Sequence, residues 1–441
     1  RQRQDVYKRQ YERRLQEVKT LKEIYQANEE LNYIDSSLYS RYRVKAGLRN
    51  DNGTGVKVGL TKICDVIGYK FVHEKKYNID GQLIYRGYPI NYLVDKQPKD
   101  RIFGFEEVAF LLIFGTLPTK EQLQEFKDYL LNFKMGPVDL QYETPNILNA
   151  LQIEVLKLYA KDPSADTDDL EERMMKGLNI LASIPLFTFS YARNKVFKSY
   201  PYPDKSLAEN ILCMARGNDQ YTLEEARILD TLLMVHADHG GGNNSTFANV
   251  VISSTGTDIY SCISAAIGSL KGPKHGGANC KVTNMFKAIF HEVGFTTDKL
   301  TLKKIANRLL DKDFFDHSGL IYGIGHAIYT KSDPRALLIQ QQCEMLAKSK
   351  GQEDIYNCIH AFEKVAVEVM KERKGIDVCA NVDYYSGYVY SLLGIENDLF
   401  TPLFAISRTA GWVSHHLENR QSNRKLIRPA NVYVGEMEEN E

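Results

Sequence analysis

From Phe105 onward the apolar positions recur with helical period, and most of the chain reads as a succession of amphipathic or buried helices. FEEVAFLLIFG opens the series, and Thr119 with Gln122 forms a capping box for EQLQEFKDYLLNF. Long runs come next from near Pro145 and Asp168, joined by polar loops such as AKDPSADTDD and SYPYPDKS. Thr222 and Glu225 make a second capping box, after which Ala226, Leu229, Leu233 and His236 fall at spacings of three, four and three on one face. An apolar helix through Ile263 and Ile267 ends at Gly272 and Pro273. TNMFKAIFHEVG, TLKKIANRLLDK, RALLIQQQCEMLAK and IYNCIHAFEKVAVEVMKERKG continue the helical rhythm, and TPLFAISRTAGWVSHHLENR reads as a helix capped by Thr401 with Pro402 at its start. Two departures stand at the N-terminal side. Residues 11–40 are highly charged, with Leu15, Val18, Leu21, Ile24 and Leu31 as a thin stripe, the pattern of an amphipathic arm that docks on something larger. YKFVHEKKYNIDGQLIYRGYPI places two aromatic and β-branched runs on either side of Asp80–Gly81, a hairpin signal. The expected fold is mainly α, with a minor β-hairpin near the N-terminus and no fixed-period repeat.

Length adds a second domain to this picture, since 441 residues exceed what one small core needs. Lysine plus arginine equals aspartate plus glutamate at 56 each, so nothing suggests attraction to nucleic acid or to an anionic membrane, and a small-molecule partner fits better. The seven cysteines are scattered, without metal-type spacing, as free thiols of a reducing compartment would be. No apolar run approaches membrane-spanning length and no signal or transit pattern is present, so the expected location is the cytoplasm. RQRQDVYKRQ begins with Arg1 rather than methionine and shares no periodicity with the residues after it; it reads as a truncated start or a sequence-assembly remnant and carries no weight in the fold expected here.

Chemistry concentrates where the helical rhythm breaks around glycine. In HADHGGGN, His236 continues a buried stripe and reads as core, whereas His239 precedes Gly240, Gly241 and Gly242, where the helix should stop and the ring face a cleft. His275 lies between Pro273–Lys274 and Gly276–Gly277, a turn reachable by solvent where glycine lets a substrate approach the backbone. Zinc on His236, Asp238 and His239 is disfavoured, because no helical i, i+4 pair or CxxC completes a tetrahedral set. Gly323, Gly325 and His326 form a third such turn. Asp333–Pro334–Arg335 then reads as a helix start in which an arginine, the wrong charge for that end of the dipole, asks for an anion; a solvated arginine is the structural alternative. Asp383, between Val382 and Tyr384–Tyr385, is either a desolvated base or a helix cap. Arg408 falls among Phe404, Ile406 and Trp412 and needs an anionic partner, and Arg428 before Pro429 is held in an extended tail. Imidazole donors, one sheltered carboxylate and several arginines suit a polycarboxylate substrate and proton abstraction from carbon.

These residues carry a resemblance. LIYRGYPI, HADHGGGN, GPKHGGAN, GIGHAIY with DPR nine residues after its histidine, NVDYYSG and IRPANVYVG stand in an order that resembles citrate synthase, over residues 60 to 435. The resemblance implies an almost wholly helical fold with a large domain over residues 11–275, a small domain over 276–382 that closes on the substrates, and a return to the large domain over 383–441 with a C-terminal tail. It implies that Asp383 removes a methyl proton from acetyl-CoA, that His275 hydrogen-bonds the thioester oxygen, and that His326 polarises and protonates the ketone of oxaloacetate. Arg335, Arg408 and, from the second subunit of a homodimer, Arg428 would hold the carboxylates, with His239 on the same substrate. No resident cofactor or metal is implied, acetyl-CoA and CoA being substrate and product, and the product citrate enters the tricarboxylic acid cycle. A 2-methylcitrate synthase using propionyl-CoA shares the same residues, and a non-catalytic helical scaffold is the alternative from another class. Thr330, followed by Lys331, stands where many relatives carry a basic residue, and Lys274 where an apolar one is common, so CoA-phosphate contacts are not assigned.

Overall fold

The computed structural model describes Gln26 and residues 33–136, 140, 144–422 and 425–435. The predicted arm stripe from Leu15 to Leu31 lies outside them. The chain separates into two compact units, one of residues 1–58 with 428–441 and one of residues 59–427. The first holds a short helix, α1 (Ser37–Arg41), none of whose residues is buried, and an isolated bridge from Arg49 to Gly55.

The larger unit is helical apart from one small sheet. Strands β1 (Cys64–Val72), β2 (Lys75–Tyr85) and β3 (Tyr88–Pro89) pair antiparallel in that order. The expected hairpin is present, but its turn is not at Asp80–Gly81. The chain reverses at His73–Glu74, which take φ of 47° and 63°, the two left-handed conformations that a tight turn matching strand twist requires. Asp80 and Gly81 instead interrupt the ladder. Ile67 pairs with Gln82 and Tyr69 with Asn78, so Gly68 alone faces Ile79, Asp80 and Gly81 in a bulge.

Helices α2 (Ile90–Asp95), α3 (Gly104–Phe114), α4 (Lys120–Leu131), α5 (Ile147–Lys161), α6 (Leu170–Ala192), α7 (Leu207–Arg216) and α8 (Leu223–His236) come after the sheet. The two capping boxes predicted at Thr119/Gln122 and Thr222/Glu225 start α4 and α8. Next are α9 (Asn244–Ser253), α10 (Ile259–Leu270), α11 (Ala278–Val293), α12 (Lys299–Leu310), α13 (Pro334–Ser349), α14 (Glu353–Lys374), α15 (Asp383–Leu392) and α16 (Phe400–Gln421). The mainly helical class expected from the periodicity is what the molecule has. Among the described residues no helix is long and apolar enough to cross a membrane.

The core is organised around α16, whose residues from Phe400 to His416 are all buried and which packs against α3, α6, α8, α9 and α10. A helix apolar on every face must be enclosed by others, and the polar groups it carries inward must then find partners there. Thr401 does not cap it. The short 3-10 turn Asn397–Leu399 runs straight into the helix, leaving Thr401 inside the first turn with its hydroxyl donating to the Gly276 carbonyl at 3.1 Å. That bond ties the start of α16 to the turn carrying His275.

Candidate active site

Helix α8 stops at His236, three residues before His239, rather than at the glycines. His236 is buried as expected, its Nδ1 at 2.7 Å from the Leu232 carbonyl and its ring edge-on to Phe404 at 4.6 Å; burial pushes its imidazole down to about 3. The turn beyond is pinned by Asp238. Its carboxylate meets His415 Nε2 at 3.0 Å and accepts the Gly240 N–H at 3.2 Å, while the Tyr85 hydroxyl donates to its carbonyl oxygen at 2.9 Å. His239 thereby sits in the interior, where burial, then Arg335, His326, Arg408 and His275, hold its ring well below the ordinary histidine range.

His275 ends the turn after α10. Its Nε2 lies 3.1 Å from Ser245 Oγ and accepts the Ser245 backbone N–H at 3.4 Å, a donor in the first turn of α9. Ser245 Oγ in turn accepts the Trp412 indole N–H at 3.2 Å. With a backbone donor on Nε2, the neutral ring carries its proton on Nδ1. Burial, then Arg408, pushes this imidazole down to about 4, so it is neutral near pH 7. Gly276 serves packing here: its N–H donates to Leu270 O at 3.0 Å, and a Cβ would meet the Leu270 side chain at 2.7 Å.

His326 carries the opposite tautomer. Its Nδ1 accepts two backbone N–H groups, from Ile328 at 3.1 Å and Tyr329 at 3.0 Å, which leaves the proton on Nε2. Gly323 and Gly325 take φ of 82° and 102°, which few other residues adopt. The turn is laced to the segment before Asp383. Gly325 N–H donates to Cys379 O at 2.8 Å, Asn381 N–H to Gly323 O at 2.8 Å and Asn381 Nδ2 to Gly325 O at 2.9 Å, with Ile324 bridged to Ala380. Asn381 Oδ1 also accepts the Asp383 N–H at 3.0 Å. Asn381 thus does the work of a cap, and Asp383, the first residue of α15, is left with a buried Oδ1 that has no hydrogen-bond partner among the described residues. Burial raises its carboxyl to about 7 against the opposing pull of Arg335 and Arg408.

The arginines differ from one another. Asp333 caps α13 as predicted, but the anion that Arg335 was expected to call for is that same Asp333, held bidentately at 3.0 and 2.7 Å. Arg335 is buried, not solvated, and its Nη1 takes no part in that pair. Arg408 is fully buried, its Nε donating to His236 O at 2.7 Å and its Nη1 to Asn243 Oδ1 at 3.2 Å, with the guanidinium 4.6 Å over the Phe404 ring. Its Nη2 is buried with no partner among the described residues, as is His239 Nε2. Arg428 is exposed and belongs to the other unit.

His239 is the hub of the arrangement. Its ring stands edge-on to His326 at 5.1 Å and to Tyr329 at 5.6 Å, and it shares its electrostatic surroundings with His275, Arg335 and Arg408. Asp383 feels the same two arginines. Six of the seven residues singled out from the sequence therefore converge. Ser245, Asn381, Tyr329 and His415 were not singled out, and Asp238 was weighed only as a zinc ligand; apart from His415 they lie within or beside the quoted motifs, and motif membership was the only signal they gave.

A family model described as the C-terminal domain of citrate synthase matches residues 50–430. The chain belongs to the citrate synthase family. Similar relatives include the citrate synthase of Haloferax volcanii, 38% identical over 81% of this chain and 90% of that protein, and that of Deinococcus radiodurans, 36% identical over the same shares. The 2-methylcitrate synthase 1 of Corynebacterium glutamicum is 34% identical over 80% of this chain and 89% of its own length. Among solved structures, citrate synthase from Thermotoga maritima superposes with a TM-score of 0.70 at 29% identity, covering 89% of this chain and 97% of that one. The complex of Thermoplasma acidophilum citrate synthase with carboxymethyl coenzyme A and oxaloacetate gives 0.70 at 25% identity, covering 90% and 97%.

Proposed function

We propose that this citrate synthase family member condenses acetyl-CoA with oxaloacetate and hydrolyses the resulting citryl-CoA to citrate and CoA. The observation that carries the reading is the set of three buried polar atoms on Asp383, His239 and Arg408 without hydrogen-bond partners among the described residues, around two neutral imidazoles that each offer a proton. A buried carboxylate oxygen, a ring nitrogen and a guanidinium nitrogen without partners are costly unless a substrate completes them.

In this reading Asp383 takes a methyl proton from acetyl-CoA, and its raised affinity for protons makes it a stronger base than a hydrated carboxylate. His275 donates from Nδ1 to the thioester oxygen as the enol forms. The nucleophilic carbon attacks the ketone of oxaloacetate, and His326 supplies the Nε2 proton to the oxygen that becomes the citryl hydroxyl. Arg408 and Arg335 face the carboxylates together with His239, and Arg428 reaches them from the second subunit of a homodimer. Water then cleaves the thioester, releasing citrate into the tricarboxylic acid cycle and CoA as a free thiol, in the cytoplasm. Residues 276–382 form the smaller domain that closes over the substrates, which keeps water out until the carbon–carbon bond exists. No resident metal or cofactor takes part.

The test is direct: full-length protein with acetyl-CoA and oxaloacetate, monitored by release of free thiol. Absence of thiol release across ordinary buffers sinks the reading. The Corynebacterium relative keeps a second reading in play, 2-methylcitrate formation from propionyl-CoA. One methylene is worth about 1–3 kcal/mol in a pocket, so comparing kcat/KM for the two acyl-CoA substrates separates them.

A further inference from the structure

The segment that carries His326 is held from outside its own loop. Tyr329 is fully buried, with its ring against the His326 imidazole, centroids 4.7 Å apart and planes within 22°. Its hydroxyl donates to the carbonyl oxygen of Gln82 on β2 at 3.1 Å. Three residues on, Ser332 is bound to the same strand, its carbonyl oxygen and its hydroxyl each accepting from the Gly81 N–H at 3.1 Å.

This contact depends on missing side chains. A Cβ at Gly81 would lie 2.2 Å from Ser332 O and 2.6 Å from the Tyr329 ring, and a Cβ at Gly68 would lie 2.4 Å from Ile328 O. Neither glycine adopts a left-handed φ, so backbone conformation does not demand them. Both sit in the bulge, where β1 and β2 turn a bare face toward residues 328–332.

We propose that Tyr329 is a positioning residue for His326, held in place by the glycine face of the hairpin at Gly68 and Gly81. The two N–H groups that fix the His326 tautomer come from Ile328 and Tyr329, inside the gripped segment. The stacked phenol sets the plane of the imidazole, and the same ring meets His239 edge-on. If the segment slides, ring plane and backbone donors move together. A fraction of molecules then carries the proton on Nδ1 and offers nothing to the ketone oxygen. The proposal rests on the reading of His326 as that donor and adds the hairpin to the machinery.

The experiment uses the full chain labelled with nitrogen isotope in histidine, with the His326 signals assigned by their loss in His326→Gln. In the wild type, Nδ1 of His326 should read as unprotonated. Tyr329→Leu and Gly81→Ala should each shift His326 toward mixed tautomers. They should lower kcat by about 10- to 100-fold while the KM for oxaloacetate stays within about threefold. Tyr329→Phe keeps the ring and loses only the bond to Gln82, and should keep the wild-type nitrogen signals. Should Gly81→Ala fail to fold, Tyr329→Leu decides alone. Unchanged His326 signals and unchanged kcat in Tyr329→Leu overturn the proposal. Full activity of His326→Gln would instead overturn the functional reading, and the nitrogen signals would still judge the positioning.

Discussion

The carboxylate of Asp238 and the imidazole of His415 meet at 3.0 Å with neither exposed to solvent. Burial pushes the Asp238 carboxyl up, but His415 and Arg408 outweigh it and hold it below the usual range. Gly411 of α16 packs onto this pair so closely that a Cβ there would stand 2.6 Å from Asp238 Oδ1. The pair thus fastens the turn presenting His239 to the central helix. Asp238→Asn keeps the shape and loses the charge, and should cost about 3 kcal/mol of stability, measured by denaturant unfolding monitored at Trp412. A loss below about 0.5 kcal/mol would show that the charge contributes nothing there.

Asp383 supplies a pH signature. With its carboxyl raised to about 7 by burial, the basic form is depleted below neutrality. On the acid side of that value kcat/KM for acetyl-CoA should fall about tenfold per pH unit, and His275, already neutral above about 4, should add no limb between about pH 5 and 9. Asp383→Asn should lower thiol release by about 10²–10⁴-fold while oxaloacetate binding, read by calorimetry, is retained. Activity equal to wild type in that variant contradicts the assigned base.

Ser245 links His275 to Trp412. Ser245→Ala removes the hydroxyl, leaves the backbone donor on Nε2 and frees the imidazole to tilt. A fall in kcat of about 10- to 100-fold, with a smaller change in KM for oxaloacetate, is expected from steady-state rates. An equal rise in KM with kcat unchanged would place Ser245 in ground-state binding instead.

Away from the site, two buried carboxylates carry a stability switch. Asp230 accepts the N–H groups of Gly104 and Phe105, both at 2.9 Å, and Glu106 accepts that of Leu207, at 2.7 Å. Burial, then the charge of Asp230, pushes the Glu106 carboxyl upward, and burial raises Asp230 too, against the two backbone N–H groups that favour its charged form. A group raised on folding contributes stability that is present below its unfolded value and lost as pH climbs through its folded value. Glu106→Gln stays neutral throughout. Thermal unfolding should show it about 1–3 kcal/mol more stable than wild type at about pH 9 and within about 0.5 kcal/mol of it at about pH 5. A variant less stable at both pH values would refute the switch.

Local chemistry explains what could be read without coordinates. The capping boxes of α4 and α8 are side chain-to-backbone contacts within four residues, and their sequence pattern is their structure. The hairpin turn shows where such reading stops. Asp80–Gly81 carries the composition of a turn, yet its glycine is required by Ser332, 251 residues away. His73–Glu74 carries no such composition and makes the turn because the strands on either side demand it. Arg335 misleads for a related reason: its anion is adjacent, in the cap itself. Burial decides the remaining cases. Arg408 was expected to need a partner and has two acceptors with one nitrogen to spare, whereas the bonds of Asn381 to Gly325 and of Ser245 to His275 could not be read because their other halves lie on distant segments.

The bridge between Ile324 and Ala380 gears two functional groups that the chain separates by more than fifty residues. The hydrogen bonds beside it, Gly325 to Cys379 and Asn381 to Gly323 and Gly325, join the turn under His326 to the residues that lead into Asp383, so a substitution that loosens either segment is felt at both groups.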